Sequence, residues 1–338
     1  MNIAVIGGGS WGTAVSWLLA CKGYRVSLWT REVEIAEAIN STGRNPVYLT
    51  GVELGSSVSA TSDMEKALFG VDAAVVVTPS VAMRSVAERM TPHVPQSMPV
   101  IVLSKGIEES TLMLMTEVLA DVMGNRNRFA ALSGPNHAEE VSKGIPSATV
   151  VAAYADSVAR YFQEIFMTSV FRVYTNPDVT GVELCGASKN VIAIAAGMSD
   201  GLGYGDNTKA TLMTRGLAEM ARLGGRLGAN PLTYMGLAGI GDLIATCTSR
   251  HSRNRALGEH VAKGGSVESF TAQTHMVAEG AFSCVTVDEI ATREGIELPI
   301  TRQVRAILHQ GGTLNDAARS LMGREARDEW HGMGLVEE

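Results

Sequence analysis

Four cysteines are all the chain holds: Cys21, Cys185, Cys247 and Cys284, far apart and with no C-x-x-C pair. Disulfide frameworks and structural metal sites use close spacings, so the four read as buried free thiols in a reducing compartment. Positive charge is also short, with 28 Lys and Arg against 35 Asp and Glu and a net charge of −7. That excludes a basic face for nucleic acid or whole-protein attraction to anionic membranes, while leaving room for a local basic pocket. Long apolar runs are missing from the N-terminal half. "AVSWLLA" (14–20) is too short to cross a bilayer, and "MNIAVIGGG" enters a strand with no basic leader before it. No internal repeat or low-complexity stretch breaks the chain. A cytoplasmic protein without a membrane span is the expectation.

What is present is globular material. Apolar residues make up 46% of 338 residues, enough for two cores, and at ~150 residues per domain the length suggests two domains. "NIAVI" (2–6), "RVSLW" (25–29), "AAVVV" (73–77) and "PVIVL" (99–103) are near-continuous apolar runs, as in strands covered on both faces of a parallel sheet. "RFAAL" (128–132), "SATVV" (147–151) and "VFRVY" (170–174) continue the series, with helical patterns at 13–22, 81–90 and 112–123. Repeated β-α-β units predict a doubly wound α/β sheet. After Asn176-Pro177 no convincing strand follows. Helical patterns take over at 178–198, 208–228, 251–263, 285–294, 299–310 and 313–322. The predicted division is therefore an α/β domain, 1–177, and an all-helical domain, 178–338.

The stretch "IGGGSWG" places Gly7, Gly9 and Gly12 in G-x-G-x-x-G spacing directly after the first strand and at a helix start. In that context Gly7 allows the tight turn, Gly9 lets a pyrophosphate approach the backbone, and Gly12 lets helix and strand pack closely. The end of the second strand reads ribose or 2′-phosphate. "LWTRE" offers Arg31 followed by Glu32, which favours NADP or tolerance of both nucleotides, unless Arg31 is only a solvated helix-start residue. Ligands of such sheets bind beyond the carboxyl ends of the strands. "LSKGIEE" puts Lys105 at one such end, and "LSGPNHAEE" puts Gly134, Asn136 and Ala138 at the next.

The helical half carries two anomalies. "ELCGASKNVIAIAAG" (183–197) is apolar nearly all round, yet Lys189 stands in its middle beside Gly186, Ala187 and Ala193. A buried ammonium is costly unless it is paired or deprotonates. Lys189 therefore reads either as a proton donor or as half of a buried ion pair. "AGIGDLIATCTSRHSRNRALG" (238–258) then concentrates Asp242, Arg250, His251, Arg253 and Arg255, with Ser252 and Asn254 between them. This is a local anion site in an acidic protein, or else an exposed basic helix start.

Taken together, "GGGSWGTA", "SKGIE", "SGPNHAEEV", "FRVYTNPDVTGVELCGASKNVIAIAAGMSDGLGYGDNTKA", "RGLAEM", "GLAGIGDLIATCTSRHSRNRALG" and "VAEG", in that order, resemble the NAD(P)-dependent glycerol-3-phosphate dehydrogenases of bacterial type. The resemblance spans essentially the whole chain and implies a Rossmann-type sheet joined to an all-α domain. It further implies hydride transfer between NAD(P)H and dihydroxyacetone phosphate, in supply of glycerophospholipid backbones. Ser10, Trp11, Arg31 and Tyr48 would contact the nucleotide, and Ala138, Val277 and Glu279 would lie beside it. Lys105 and Arg253 would touch both cofactor and substrate. Gly134, Asn136, Asp242, Ser252 and Asn254 would hold a small phosphorylated substrate, and Lys189 would exchange the proton. No metal is required, and a homodimer is left open. Position 136 is Asn where the family usually carries Ser or Thr, and "AFSC" after "VAEG" lacks the polar-basic and Thr residues often found there. A related ketopantoate-type reductase, or a nucleotide sensor without chemistry, remain the alternatives to be excluded.

Overall fold

Alternate side chains of β1 (Asn2–Ile6) point to opposite faces of a sheet: Ile3 and Val5 join one apolar cluster, Ala4 and Ile6 the other. The computed structural model describes residues 1–274 and 277–329. It groups them as two compact units, one of residues Met1–Glu108 and Met113–Val182, the other of Glu109–Leu112 and the chain from Glu183 onward.

In the first unit β1 is followed by β2 (Arg25–Trp29), β3 (Val58–Thr61), β4 (Ala73–Val76), β5 (Val100–Val102), β6 (Phe129–Ser133), β7 (Ser147–Ala153) and β8 (Phe171–Asn176). Their order across the sheet is β3-β2-β1-β4-β5-β6-β7-β8. The helices of this unit are α1 (Ser10–Cys21), α2 (Val33–Thr42), α3 (Met64–Leu68), α4 (Met83–Met90), α5 (Met115–Met123), α6 (Ala138–Val141) and α7 (Asp156–Phe166). The order reverses direction at β1/β4, so the carboxyl ends of those two strands flank the crevice where such sheets take their ligand.

Two features depart from the pattern read in the sequence. β3 was not anticipated. It is an edge strand with alternating buried and exposed positions, and "VSAT" is too short and polar to read as a buried run. β7 also runs antiparallel to β6. Between them lies only the four-residue α6, too little helix for the crossover that a parallel neighbour needs.

The second unit is helical among its described residues: most of α8 (Val179–Gly201), then α9 (Asp206–Arg226), α10 (Pro231–Tyr234), α11 (Asp242–Thr248), α12 (Arg253–Ala262), α13 (Val267–Thr274), α14 (Gly280–Glu294), α15 (Pro299–His309) and α16 (Leu314–Met322). Asp178 starts α8 by accepting a hydrogen bond from Gly181 N at 2.8 Å. Among the described residues α8 alone is long and apolar enough to span a bilayer, yet nearly all of it is buried in the protein, as in a core helix. It packs at backbone distance on α12: a Cβ on Gly197 would stand 1.9 Å from the Arg255 carbonyl oxygen, and one on Gly258 2.1 Å from that of Ile194. The four cysteines are free, but Cys21 is exposed rather than buried, because it closes α1 at the surface. Burial pushes the thiols of Cys247 and Cys284 up to about 12, which keeps them protonated and unreactive.

The fully buried Glu219 on α9 caps α15, accepting from Ile300 N at 2.6 Å and from Thr301 N and Oγ1 at 3.1 Å each. Desolvation outweighs these bonds and pushes its carboxyl from 4.5 up to about 7. Between those values the native protein holds a proton that the unfolded chain lacks, so stability falls as pH rises through the window. The urea midpoint is expected to drop from about pH 5 to about pH 8 in the parent, and to drop less in Glu219→Gln. Parallel pH profiles for the two proteins would mean that Glu219 is ionised throughout.

Candidate active site

In the first unit the glycine loop joins β1 to α1. Gly7 has φ of +127°, where a side chain is strained, and a Cβ there would stand 2.8 Å from the Val77 carbonyl oxygen. A Cβ on Gly12 would overlap the Gly7 carbonyl oxygen at 1.8 Å, so the first turn of α1 needs a glycine at this position. Gly9 differs from both. A Cβ on it meets nothing within 4 Å, so its openness serves whatever approaches the loop rather than the fold. Gly9 is also the N-cap of α1 and offers no side-chain bond to the first-turn amides, which include those of Ser10 and Trp11. Uncapped amides at the positive end of a helix, over an open glycine, fit a pyrophosphate. Asn45, wholly buried, holds the loop: its Nδ2 donates to Gly8 O at 2.9 Å and to Thr13 Oγ1 at 3.0 Å. Its Oδ1 accepts from the Tyr48 amide at 2.9 Å, which fixes the backbone beneath that half-buried ring.

Arg31 follows β2, 82% exposed, and donates from Nε and Nη2 to Glu32 Oε1 at 2.9 and 2.7 Å. Thr30 Oγ1 donates to the other oxygen of Glu32 at 3.2 Å. Burial alone would raise the Glu32 carboxyl, but the bonds from Arg31 and Thr30 hold it below its ordinary value. A 2′-phosphate would have to take Arg31 from Glu32, whereas a free ribose finds a carboxylate already ionised.

Beyond β5, the half-buried Lys105 donates to the Gly134 carbonyl at 3.1 Å. Gly134 itself has φ of +154°, and a Cβ there would stand 2.9 Å from Thr149 Cα on β7. Asn136 Nδ2 donates to Thr149 Oγ1 at 2.9 Å, and Thr149 Oγ1 donates in turn to Ser133 O at 2.9 Å. Lys105, Gly134 and Asn136 are thus one polar group at the carboxyl ends of β5 and β6. Ala138 begins α6 beside them, 7% exposed.

The second unit answers the question that Lys189 poses. Lys189 is 4% exposed and Asp242 3%. Nζ lies 3.1 Å from Asp242 Oδ1 and donates to Thr246 Oγ1 at 2.7 Å and Asn190 Oδ1 at 3.1 Å. Thr246 Oγ1 donates to the Asp242 carbonyl at 2.6 Å. Asn254 Nδ2 donates to Asn190 Oδ1 at 3.0 Å, and the Gly280 amide to Asn254 Oδ1 at 2.9 Å. So α8, α11, α12 and the start of α14 all contribute to one buried network. Burial disfavours the ammonium and the Asp242 carboxylate favours it.

The arginines of "HSRNR" separate. Arg255 turns inward to Asp200 at 2.6 Å and Glu259 at 2.7 Å, so it is not part of an anion site. Arg253 is exposed at the first position of α12, with no ion pair among the described residues. Ser252 is the N-cap of that helix, accepting from Arg255 N at 3.2 Å. Val277 and Glu279 lie half-buried before α14, where Glu279 is the N-cap without a side-chain capping bond.

Four residues of these networks escaped the reading of the sequence: Asn45, Thr149, Asn190 and Thr246. Thr246 stands four positions after Asp242, hence on the same face of α11, and that signal was readable once α11 was known. Asn45 and Thr149 act across long stretches of chain and left no local trace.

A glycine loop on a doubly wound sheet, with a buried lysine–carboxylate pair on a helical unit, defines the class of nicotinamide-nucleotide dehydrogenases. Comparison with known proteins narrows it. The family models for the N-terminus and the C-terminus of NAD-dependent glycerol-3-phosphate dehydrogenase match residues 2–159 and 178–319. The chain belongs to that family. It is 48% identical to the glycerol-3-phosphate dehydrogenase [NAD(P)+] of Moorella thermoacetica, over 97% of both chains. To that of Streptomyces griseus it is also 48% identical, over 97% of this chain and 98% of the relative. The crystal structure of glycerol-3-phosphate dehydrogenase from Coxiella burnetii superposes with a TM-score of 0.91 at 37% identity, covering 96% of this chain and 99% of that one. A ketopantoate reductase from Ralstonia eutropha shares the fold alone, with a TM-score of 0.63 at 18% identity.

Proposed function

We propose that the chain exchanges a hydride reversibly between NAD(P)H and dihydroxyacetone phosphate, giving sn-glycerol 3-phosphate for glycerophospholipid synthesis. The observation that carries the chemistry is the buried network around Lys189, and the names of the relatives support the substrate. In this reading residues 1–177 hold the nucleotide, and residues 178–338 hold the substrate and the proton, in a cytoplasmic enzyme whose thiols stay reduced. The nicotinamide, when bound, supplies the hydride. As the ketone carbon is reduced, its oxygen gains negative charge, and Lys189 Nζ donates a proton to it; in reverse Lys189 takes that proton back. Thr246, Asn190 and Asp242 aim Nζ so that the ammonium does not have to reorganise during the step. Arg253, with Asn254 and Ser252 beside it, grips the phosphate. Lys105, placed by the Gly134 carbonyl, and Asn136, placed by Thr149, complete the polar contacts.

The test is NADPH oxidation with dihydroxyacetone phosphate and, separately, with ketopantoate. Turnover of ketopantoate alone would overturn the assignment. Arg253→Ala is expected to lower kcat/KM strongly for dihydroxyacetone phosphate, and much less for unphosphorylated dihydroxyacetone, which offers nothing to grip. Equal losses on both would assign Arg253 another task.

Arg31→Ala tests the nucleotide choice. It is expected to raise the KM for NADPH by about 10-fold or more, the worth of a charged hydrogen bond of roughly 1.5–3 kcal/mol, and to leave NADH nearly unchanged. Since Glu32 loses its partner in the same variant, a modest gain for NADH fits as well. Equal loss for both nucleotides would show that Arg31 does not read the phosphate.

A further inference from the structure

Helices α8 and α12 meet along a nearly smooth seam. Gly197 and Gly201 of α8 stand one turn apart, and Gly258 of α12 faces Gly197. A Cβ on Gly201 would lie 2.5 Å from Ala262 Cβ and 3.1 Å from the Glu259 carbonyl oxygen. Glycines let two backbones touch but supply no knob to fit a hole, so such a seam resists sliding only weakly. Sliding would matter here. The start of α12 carries Ser252, Arg253 and Asn254, and Asn254 Nδ2 donates at 3.0 Å to the same Asn190 oxygen that accepts from Lys189. One residue of slip moves a helix by about 1.5 Å, enough to part Asn254 from Asn190.

One ionic cluster sits on this seam. Arg255 Nε and Nη2 reach Asp200 Oδ2 at 2.7 and 2.6 Å, and Nη2 is also 2.7 Å from Glu259 Oε1. Lys209 Nζ lies 2.7 Å from Asp200 Oδ1. Two acids and two bases leave the cluster neutral, and none of the four side chains is more than 32% exposed. Glu259 lies one turn along α12 and presets the guanidinium, whereas Asp200 belongs to α8 and Lys209 to α9. A partly buried charge pair specifies one register where glycines permit several.

We propose that Arg255 is a positioning residue for the reaction: through Asp200 it fixes the register of α12 on α8, and with it the aim of Arg253 and Asn254 at the substrate phosphate. The proposal rests on the reading that Arg253 grips that phosphate. Lys189 keeps Asp242 and Thr246 whatever α12 does, so the effect falls on phosphate recognition rather than on proton exchange.

Arg255→Met removes the pair and keeps the aliphatic stem. It is expected to lower kcat/KM for dihydroxyacetone phosphate at least tenfold, chiefly through KM, and that for unphosphorylated dihydroxyacetone less than threefold. A loss of folded protein alone would lower both by one factor. Asp200→Asn, nearly isosteric, is expected to lower the ratio of the two substrates severalfold, and it decides the matter if Arg255→Met does not fold. Arg255→Lys, which keeps a cation beside Asp200, should restore part of the ratio. The double variant should lose no more than Arg255→Met, since the two residues act as one pair. Where Arg253→Ala is selective for the phosphate, equal losses on both substrates, or a ratio unchanged in the folded variants, overturn the proposal. The register is also read without substrate. The Ala256 amide closes the first turn of α12 on Ser252 O at 3.0 Å, and its hydrogen exchange is expected to be at least tenfold faster in Arg255→Met and severalfold faster in Asp200→Asn. Exchange as slow as in the parent overturns the register role. Faster exchange together with an unselective Arg253→Ala keeps that role and places the failure in the phosphate reading.

Discussion

Lys189→Met is expected to lower turnover by about 10²- to 10⁴-fold, the usual share of a general acid, with nucleotide still bound. The side chain bonds to Asp242, Thr246 and Asn190, all in the second unit, while the glycine loop belongs to the first, so NADPH titration is expected to stay unchanged. Stability is a separate matter. On the sequence alone a methionine of similar bulk is expected to fold at least as well as the parent. The 3.1 Å contact to an Asp242 that is itself 3% exposed reverses that expectation. Breaking a buried pair from one side strands the other charge and costs about 3–5 kcal/mol. The loss here falls toward the lower end, because Thr246 still stands 3.1 Å from Asp242 Oδ1. The double variant Lys189→Met/Asp242→Asn removes both charges and should recover most of that stability. Its turnover should stay as low as that of the single variant. Thermal melts and stopped-flow hydride transfer on the same preparations separate the two effects. A folded Lys189→Met that retains parental turnover would falsify the role of Lys189 in proton exchange, and would leave the pair as a purely structural device.

The second large effect is at Gly9. Gly9→Val should weaken NADPH and NADH alike by at least tenfold, ~1.4 kcal/mol, in a chain that melts close to the parent. The backbone there, φ −73° and ψ −173°, suits valine, and a Cβ finds no atom of the protein within 4 Å. The cost therefore falls on the ligand and not on the fold. Gly12→Val is the contrast. Its Cβ would overlap the Gly7 carbonyl oxygen, so it should lose stability and binding together. Fluorescence titration with both nucleotides is the measurement. Unaltered affinity in Gly9→Val would remove the loop from the nucleotide site.

Much of the architecture was legible before any coordinates. β1, β2 and β4 to β8 stand close to the apolar runs that announced them, since strands inside a sheet need apolar residues on both faces. α8, α9, α12 and α16 fall within a few residues of their expected spans. What escaped was short or half-exposed: β3 at the sheet edge, α10, α13, and α11 with its Asp242 and Thr246. The glycines at 224 and 225 lie inside α9, where Gly224 leaves space for the Tyr234 ring.

Local chemistry was enough to mark Gly7, Gly9 and Gly12 as a candidate phosphate loop and Lys189 as an anomaly, because each stands out against its immediate neighbours. Packing over long sequence distances settled the rest. It brought Asp242 and Thr246 to Lys189 across more than fifty residues, turned Arg255 toward Asp200 while leaving Arg253 exposed, and tied Asn45 to the glycine loop. A helix face is written in residues three and four apart, but its partner is chosen by which helices lie against it. That choice depends on close backbone approaches, such as Gly197 and Gly258 on α8 and α12, that no window along the chain contains.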